Sequence, residues 1–118
     1  SLVLASNIAW RYWLLPVLLG QPFLRLYLLA EHWGCPLSPA DAPIDMLARS
    51  RTTYTSGFVR FLAWNMPYHA EHHAYPALPF HALPRANQRL AGALGTTAPG
   101  YLPLTRWIFA QLKPGLVS

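Results

Sequence analysis

Asn65-Met66-Pro67-Tyr68-His69-Ala70-Glu71-His72-His73 is the stretch on which the reading of this chain turns. Asn65 can cap a helix and Pro67 can occupy its first turn, which places Tyr68 to His73 on that helix. His69, His72 and His73 then stand at i, i+3 and i+4 and project from one face. Three neutral imidazoles brought together in this way suit a borderline divalent metal such as iron or zinc. A single histidine on an apolar face is more often a satisfied core residue. Three at this spacing favour metal binding over a plain histidine-rich surface or a pH-sensitive cap.

Two histidines lie elsewhere. His32 stands in Ala30-Glu31-His32-Trp33-Gly34, where an apolar segment reaches an interface among aromatics. His81, between Pro79 and Pro84, falls off the face shared by the other three and reads as structural or supporting. Soluble di-iron bundles use Glu-rich shells with Glu-x-x-His pairs. Glu71 faces away from His69 on a helix, so no carboxylate-rich site is expected. Glu71 and Glu31 are expected instead to accept hydrogen bonds that orient a neighbouring imidazole, with Asn65 as a third supporting residue. The inverted zinc-protease pattern His-x-x-Glu-His would need Glu where His72 stands.

Composition narrows the class. Of 118 residues (13.3 kDa), 11% are charged against about 25% in a typical soluble domain, while 53% are hydrophobic and mean hydropathy is +0.21. Disorder is excluded, since it needs low hydrophobicity and high charge. A free-standing soluble globule is disfavoured, because too few charges remain to cover its surface. A membrane-embedded or membrane-lying chain, or a piece of one, is left. The net charge of +5 comes from only four acids, not from many bases. Arg11, Arg25, Arg60 and Arg106 sit inside apolar segments rather than in the polar basic clusters of a nucleic-acid binder, so no nucleic acid is expected. Cys35 is alone, which rules out an internal disulfide and thiolate zinc patterns. The chain begins with Ser, shows no signal peptide, and reads as though cut from something longer.

Three regions follow along the chain. Residues 1–34 read as a membrane-inserted helical segment. Arg11 and Arg25 lie roughly 21 Å apart on a helix and can snorkel toward opposite interfaces. Pro16 and Pro22 predict a bent helix, or a short hairpin turning at Gly20-Gln21-Pro22. Residues 35–57 read as a loop region, with three prolines between Cys35 and Pro43, a short helix over Ile44–Ser50, and a polar stretch from Arg51 to Gly57. Residues 58–118 read as helices on the cytosolic side. These are Phe58–Trp64, the His-bearing helix, one opened by Pro84 with the stripe Leu83, Ala86, Leu90 and Leu94 and a stop at Gly95, and one from Pro103 to Gln111 broken by Lys113-Pro114-Gly115. No strand alternation is visible. The expected fold class is all-α: a helical integral-membrane or interfacial fragment with a cytosolic helical cap carrying the histidines. Arg49, Arg51, Arg60, Arg85 and Arg89 gather on the histidine side, which places it in the cytoplasm.

From Asn65 to Pro84 the sequence resembles the last histidine box of the membrane fatty acid desaturase superfamily, with HxxHH preceded by N-x-P-Y and followed by P-x-x-P and a terminal Leu-Pro. Glu31-His32-Trp33-Gly34 resembles the Glu-His segment of related alkane hydroxylases and bacterial desaturases, and Arg51-Thr52-Thr53 resembles the polar stretch between the two. The likeness is tightest over residues 25–85. It implies a non-haem di-iron centre held by histidine in a multi-pass membrane protein, with His69, His72, His73 and His32 as iron ligands. It also implies O2 and a membrane lipid or acyl chain as substrates, and an electron donor such as ferredoxin or a cytochrome. The two earlier histidine boxes of the family have no counterpart in residues 1–68, so four ligands leave the shell incomplete. The expectation is therefore the C-terminal part of an acyl desaturase, inactive alone. A carotenoid ketolase or hydroxylase and an alkyl hydroxylase share the same boxes. From a different class comes a non-enzymatic membrane-surface helical protein with a structural metal site.

Overall fold

The computed structural model describes residues 2–37 and 43–112. It begins with one helical rod: α1 (Leu2–Ala9), a π-helical turn over Trp10–Leu14, and α2 (Leu15–His32). The widened turn has a local cause. Leu15 N–H donates to the carbonyl of Trp10, five residues back, just before Pro16. A proline ring there would otherwise press on the carbonyl of Tyr12, four residues behind it. The hairpin expected at Gly20-Gln21-Pro22 does not form, because Gly20 keeps a right-handed conformation and α2 runs straight through Pro22.

From Ala5 to His32 the rod is long and apolar enough to cross a membrane. Twenty-eight residues span about 42 Å as a helix, more than the ~30 Å of a bilayer's hydrocarbon core. Tyr12, Trp13, Leu19 and Phe23 are each more than 60% exposed, so the rest of the described protein leaves this rod uncovered. Only its C-terminal end is packed, at Ala30 and Glu31. Gly34 follows in the left-handed region (φ +73°) and ends the helix.

The remaining elements are α3 (Pro43–Arg49), β1 (Arg51–Thr53), α4 (Gly57–Leu62), α5 (His69–Ala74), α6 (Leu83–Leu90), β2 (Thr96–Ala98) and α7 (Tyr101–Leu112). The all-α expectation is corrected to a mostly helical fold with a two-stranded parallel sheet. β1 and β2 pair Arg51 with Thr96, Thr52 with Thr97 and Thr53 with Ala98. Strands of three residues are too short to show alternation, and β1 is buried at every position, so it has no wet face to betray it. Its threonines suit a pleated, crowded site. β1 also reaches the segment before α5: Thr53 N–H donates to the carbonyl of Pro67 (2.9 Å), and Thr52 bridges Tyr68. The expected loop region of residues 35–57 thus holds α3 and β1, and β1 fixes where α5 starts.

Two apolar clusters hold the body together. Ala30, Ala98, Leu104 and Ile108, with Trp33 and Tyr101, seal the end of α2 against β2 and α7. Leu47, Ala70 and Ala74, with Met46, Leu90 and Leu94, join α3, α5 and α6. α6 ends at Leu90 and passes through a 3-10 turn at Ala91–Ala93, so Gly95 is not its stop. A Cβ at Gly95 would lie 2.7 Å from Ala48 Cα, so this glycine permits a close backbone approach to α3. Part of the expected Cys35–Pro43 loop, residues 38–42, and the break at Lys113-Pro114-Gly115 lie outside the described residues.

Candidate metal centre

His32 is the last residue of α2, and His69 and His73 lie one turn apart on α5. Packing of these elements brings three ring nitrogens to one point. His69 Nε2 is 3.0 Å from His32 Nε2 and 3.0 Å from His73 Nε2. The three donors all lie within 4.8 Å of one another, the only such group among the described residues. The rings meet steeply, at 75° for His32 with His69, 79° for His69 with His73 and 75° for His32 with His73.

This arrangement fits a metal better than it fits hydrogen bonds. Each Nε2 has a single in-plane lobe, either an N–H or a lone pair. His69 cannot aim that lobe at two nitrogens at once. Two imidazole nitrogens bound at about 2.1 Å, at right angles around one ion, would lie about 3.0 Å apart. That is the separation found on both edges.

Electrostatics point the same way. His69 is buried, and its pKa falls to about 3, first through burial and then through His73, His32 and His72. His73 is also lowered, first by burial and then by His32, His72 and Arg49. Both imidazoles are therefore neutral near pH 7 and keep their lone pairs for a metal. A cavity of about 310 Å³ opens beside them, lined by His32, Leu37, Met46, Arg49, Ser50 and His73. Larger cavities elsewhere touch no histidine.

Other expected residues fall elsewhere. On a helix, His72 stands about 60° to one side of His69 and His73 about 40° to the other. His32 arrives on the His73 side. His72 is left with its ring 6.4 Å from His69 and 5.9 Å from His73, and its Nδ1 is buried without a partner. His81 is exposed against Phe80, apart from the cluster.

The carboxylates do not orient imidazoles as expected. Glu71 is fully buried and accepts from Thr52 Oγ1 (2.5 Å) and Asn87 Nδ2 (2.6 Å). Glu31, also fully buried, accepts from the Tyr101 hydroxyl (2.5 Å). That contact and burial raise the Tyr101 pKa, burial being the larger cause. The Nδ1 of His69 is buried without a partner.

Asn65 is likewise corrected. Its φ of +57° is left-handed, whereas a capping residue needs extended backbone, and its amide donates to the carbonyl of Phe80 (3.1 Å). The position before α5 is Tyr68, which makes no side-chain cap.

Thr52, Asn87, Arg51 and Tyr101 are the site-building residues that the sequence reading misses. Asn87 had a signal: with Leu83 and Leu90 it stands at i, i+4 and i+7 of α6, on the buried stripe. Arg51 stood out only as part of Arg51-Thr52-Thr53, with nothing to show its partners, and Tyr101 had no signal, since the partners of both at the end of α2 are distant in sequence.

The sequence model of the family described as Fatty acid desaturase matches residues 1–105. No curated protein matches the chain, and no solved structure does.

Proposed function

Since the chain belongs to the fatty acid desaturase family, a family of oxidoreductases, we propose that its histidines hold iron for O2-dependent attack on acyl chains in lipid metabolism. The observation that carries this reading is the convergence of His32, His69 and His73 on one point through their Nε2 atoms. On this proposal His72, set apart from the three converging nitrogens, would serve a second iron. Bound non-haem iron would supply dioxygen activation and the oxidising power to break an unactivated C–H bond.

The chain's own residues do the rest. Burial keeps His69 neutral, so its donor nitrogen is available without first losing a proton. Glu71, tied to Thr52 and Asn87, holds α5 in place behind the imidazoles. The cavity against His32 and His73 is the route by which an acyl chain or O2 reaches the site, with Leu37 and Met46 as its apolar wall. The apolar rod Ala5–His32 anchors the protein in a membrane and delivers His32 at the interface, on the cytoplasmic side where Arg49, Arg85 and Arg89 lie. Electrons then come from a soluble or membrane carrier such as ferredoxin or a cytochrome.

Four imidazoles do not fill two iron coordination shells, so these 118 residues bind iron but do not turn over by themselves. Expression in membranes with a reductase tests this. Iron should be retained in a His69-dependent manner without new acyl unsaturation. Turnover by these residues alone would refute the incomplete-shell reading. Lipid and carotenoid profiles of a strain carrying the full gene separate desaturation from ketolase or hydroxylase chemistry.

A second reading, a structural metal site in a membrane-surface helical protein, is favoured by one observation: among the described residues three nitrogens converge, a number that suits one ion. One tightly held zinc in place of iron in protein isolated from iron-replete cells would support it.

A further inference from the structure

His32 is an exposed residue at the end of a rod whose packing against the body is confined to its last turns, at Ala30 and Glu31, yet its Nε2 meets His69 at 3.0 Å. Something must hold that end of α2 in register with α5. The structure assigns this task to Arg51 and Tyr101, acting as positioning residues for His32. The inference rests on the metal reading above.

The last carbonyls of a helix have no partners within it. Arg51 Nη1 donates to the carbonyl of Ala30, and Nη2 to the carbonyl of Trp33 at 2.6 Å. One planar guanidinium thus spans the peptide groups on both sides of His32. Arg51 is itself only 2% exposed. It is fixed by the β1–β2 pairing at Thr96, and its guanidinium lies 5.8 Å from the ring centre of Trp107. The same Trp107 ring covers Gly34, where a Cβ would come within 3.1 Å of it.

Tyr101, at the start of α7, adds a second hold by donating to the fully buried Glu31 at 2.5 Å. The residues just before and just after His32 are therefore tied to β1 and α7. β1 is also the strand that bonds the residues leading into α5. Arg51 and its strand neighbours connect both halves of the histidine cluster.

Lysine cannot replace this grip, because an ammonium is a point donor and does not present a rigid two-pronged fork. The test titrates Co2+ into the full chain in detergent, reading the visible absorption of the bound ion. The variants are R51K, Y101F, H32A and the doubles R51K/H32A and Y101F/H32A. Circular dichroism serves as the check on folding.

Supporting residues around metal ligands typically contribute about 10–100-fold to affinity. R51K and Y101F should each weaken Co2+ binding within that range and alter its absorption band. H32A should weaken it further, and each double should bind no more weakly than H32A alone, because the positioned ligand is already gone. Full additivity in the doubles, or unchanged binding in both single variants, would overturn the inference while leaving the metal site standing. Unchanged binding in H32A would instead sink the metal role of His32 and the inference with it. If R51K does not fold, the Y101F cycle alone decides by the same criteria.

Discussion

His69 Nε2 lies 3.0 Å from His32 Nε2 across 37 residues of sequence, and it lies equally far from His73 Nε2 one turn along its own helix. His69 therefore links the two elements of the cluster, meeting His32 from α2 and His73 on α5 at the same distance. Replacing it with alanine should reduce Co2+ or Fe2+ affinity by more than the roughly 100-fold upper range seen for supporting residues. H81A should leave affinity unchanged, because His81 is exposed and apart. Metal titration of the two variants beside the unaltered chain checks both outcomes. Equal losses in H69A and H81A would mean that metal binding is diffuse.

The depressed pKa of His69 gives the metal-free protein a pH dependence of definite sign. Its ordinary value is 6.5 and its folded value about 3. Above pH 6.5 both states are neutral, so stability does not change with pH on its account. As pH falls from 6.5 toward 3 the unfolded chain takes a proton that the folded one refuses, and stability declines across that window. In chelator, the melting temperature should fall between pH 7.5 and 5, and H69Q should show a shallower fall. An identical slope in the variant would remove His69 as its source.

Glu71 is held by two donors from two elements, Thr52 on β1 and Asn87 on α6. N87A removes one and leaves a buried oxygen without its partner, which costs about 1–3 kcal/mol. T52V, nearly equal in volume, should cost a similar amount through the other oxygen. Both act on one carboxyl group, so the double variant should not show the sum. Thermal unfolding of the three variants decides. A neutral N87A would show that the network contributes no stability.

How far these features were legible in the sequence follows from their range. His69, His72 and His73 were readable because helix geometry is local. Their division into a converging pair and an outlier was not, because it depends on the side from which His32 arrives. His32 drew attention through its neighbours Glu31 and Trp33, but what places it is Arg51, 19 residues on, and Tyr101, 69 residues on. The sheet was missed because Arg51-Thr52-Thr53 has the polarity of a loop and the burial of a core strand. Pro16 and Pro22 were both expected to bend the rod, yet only Pro16 distorts it, in the turn before it at Trp10–Leu14, while Pro22 sits inside α2. Glu31 and Glu71 looked like imidazole acceptors by adjacency. On a helix a neighbour in sequence points about 100° away, and each carboxylate found its partner on that other side.

The close approach at Gly95 offers a test of packing that leaves the histidines untouched. An added Cβ would stand 2.7 Å from Ala48 Cα and 3.0 Å from its Cβ. Both are parts of α3 that cannot swing aside as a long side chain would. Either α3 or β2 must shift, and α3 packs directly on α5 through Leu47, Ala70 and Ala74. Overpacking of this kind typically costs about 1–3 kcal/mol. Gly92 provides the control, since a Cβ there meets nothing within 4 Å and Gly92 is not in the left-handed region. G92A should be neutral or stabilise by about 0.4–1 kcal/mol, by restricting the unfolded chain. Side-by-side thermal unfolding should show G95A melting lower than the unaltered protein and G92A at or above it. Metal affinity should fall in G95A alone, because the displaced α3 carries α5, and with it His69 and His73, away from His32. If G95A melts normally, the packing of α3 against β2 is looser than this geometry requires, and the strand does not brace the site.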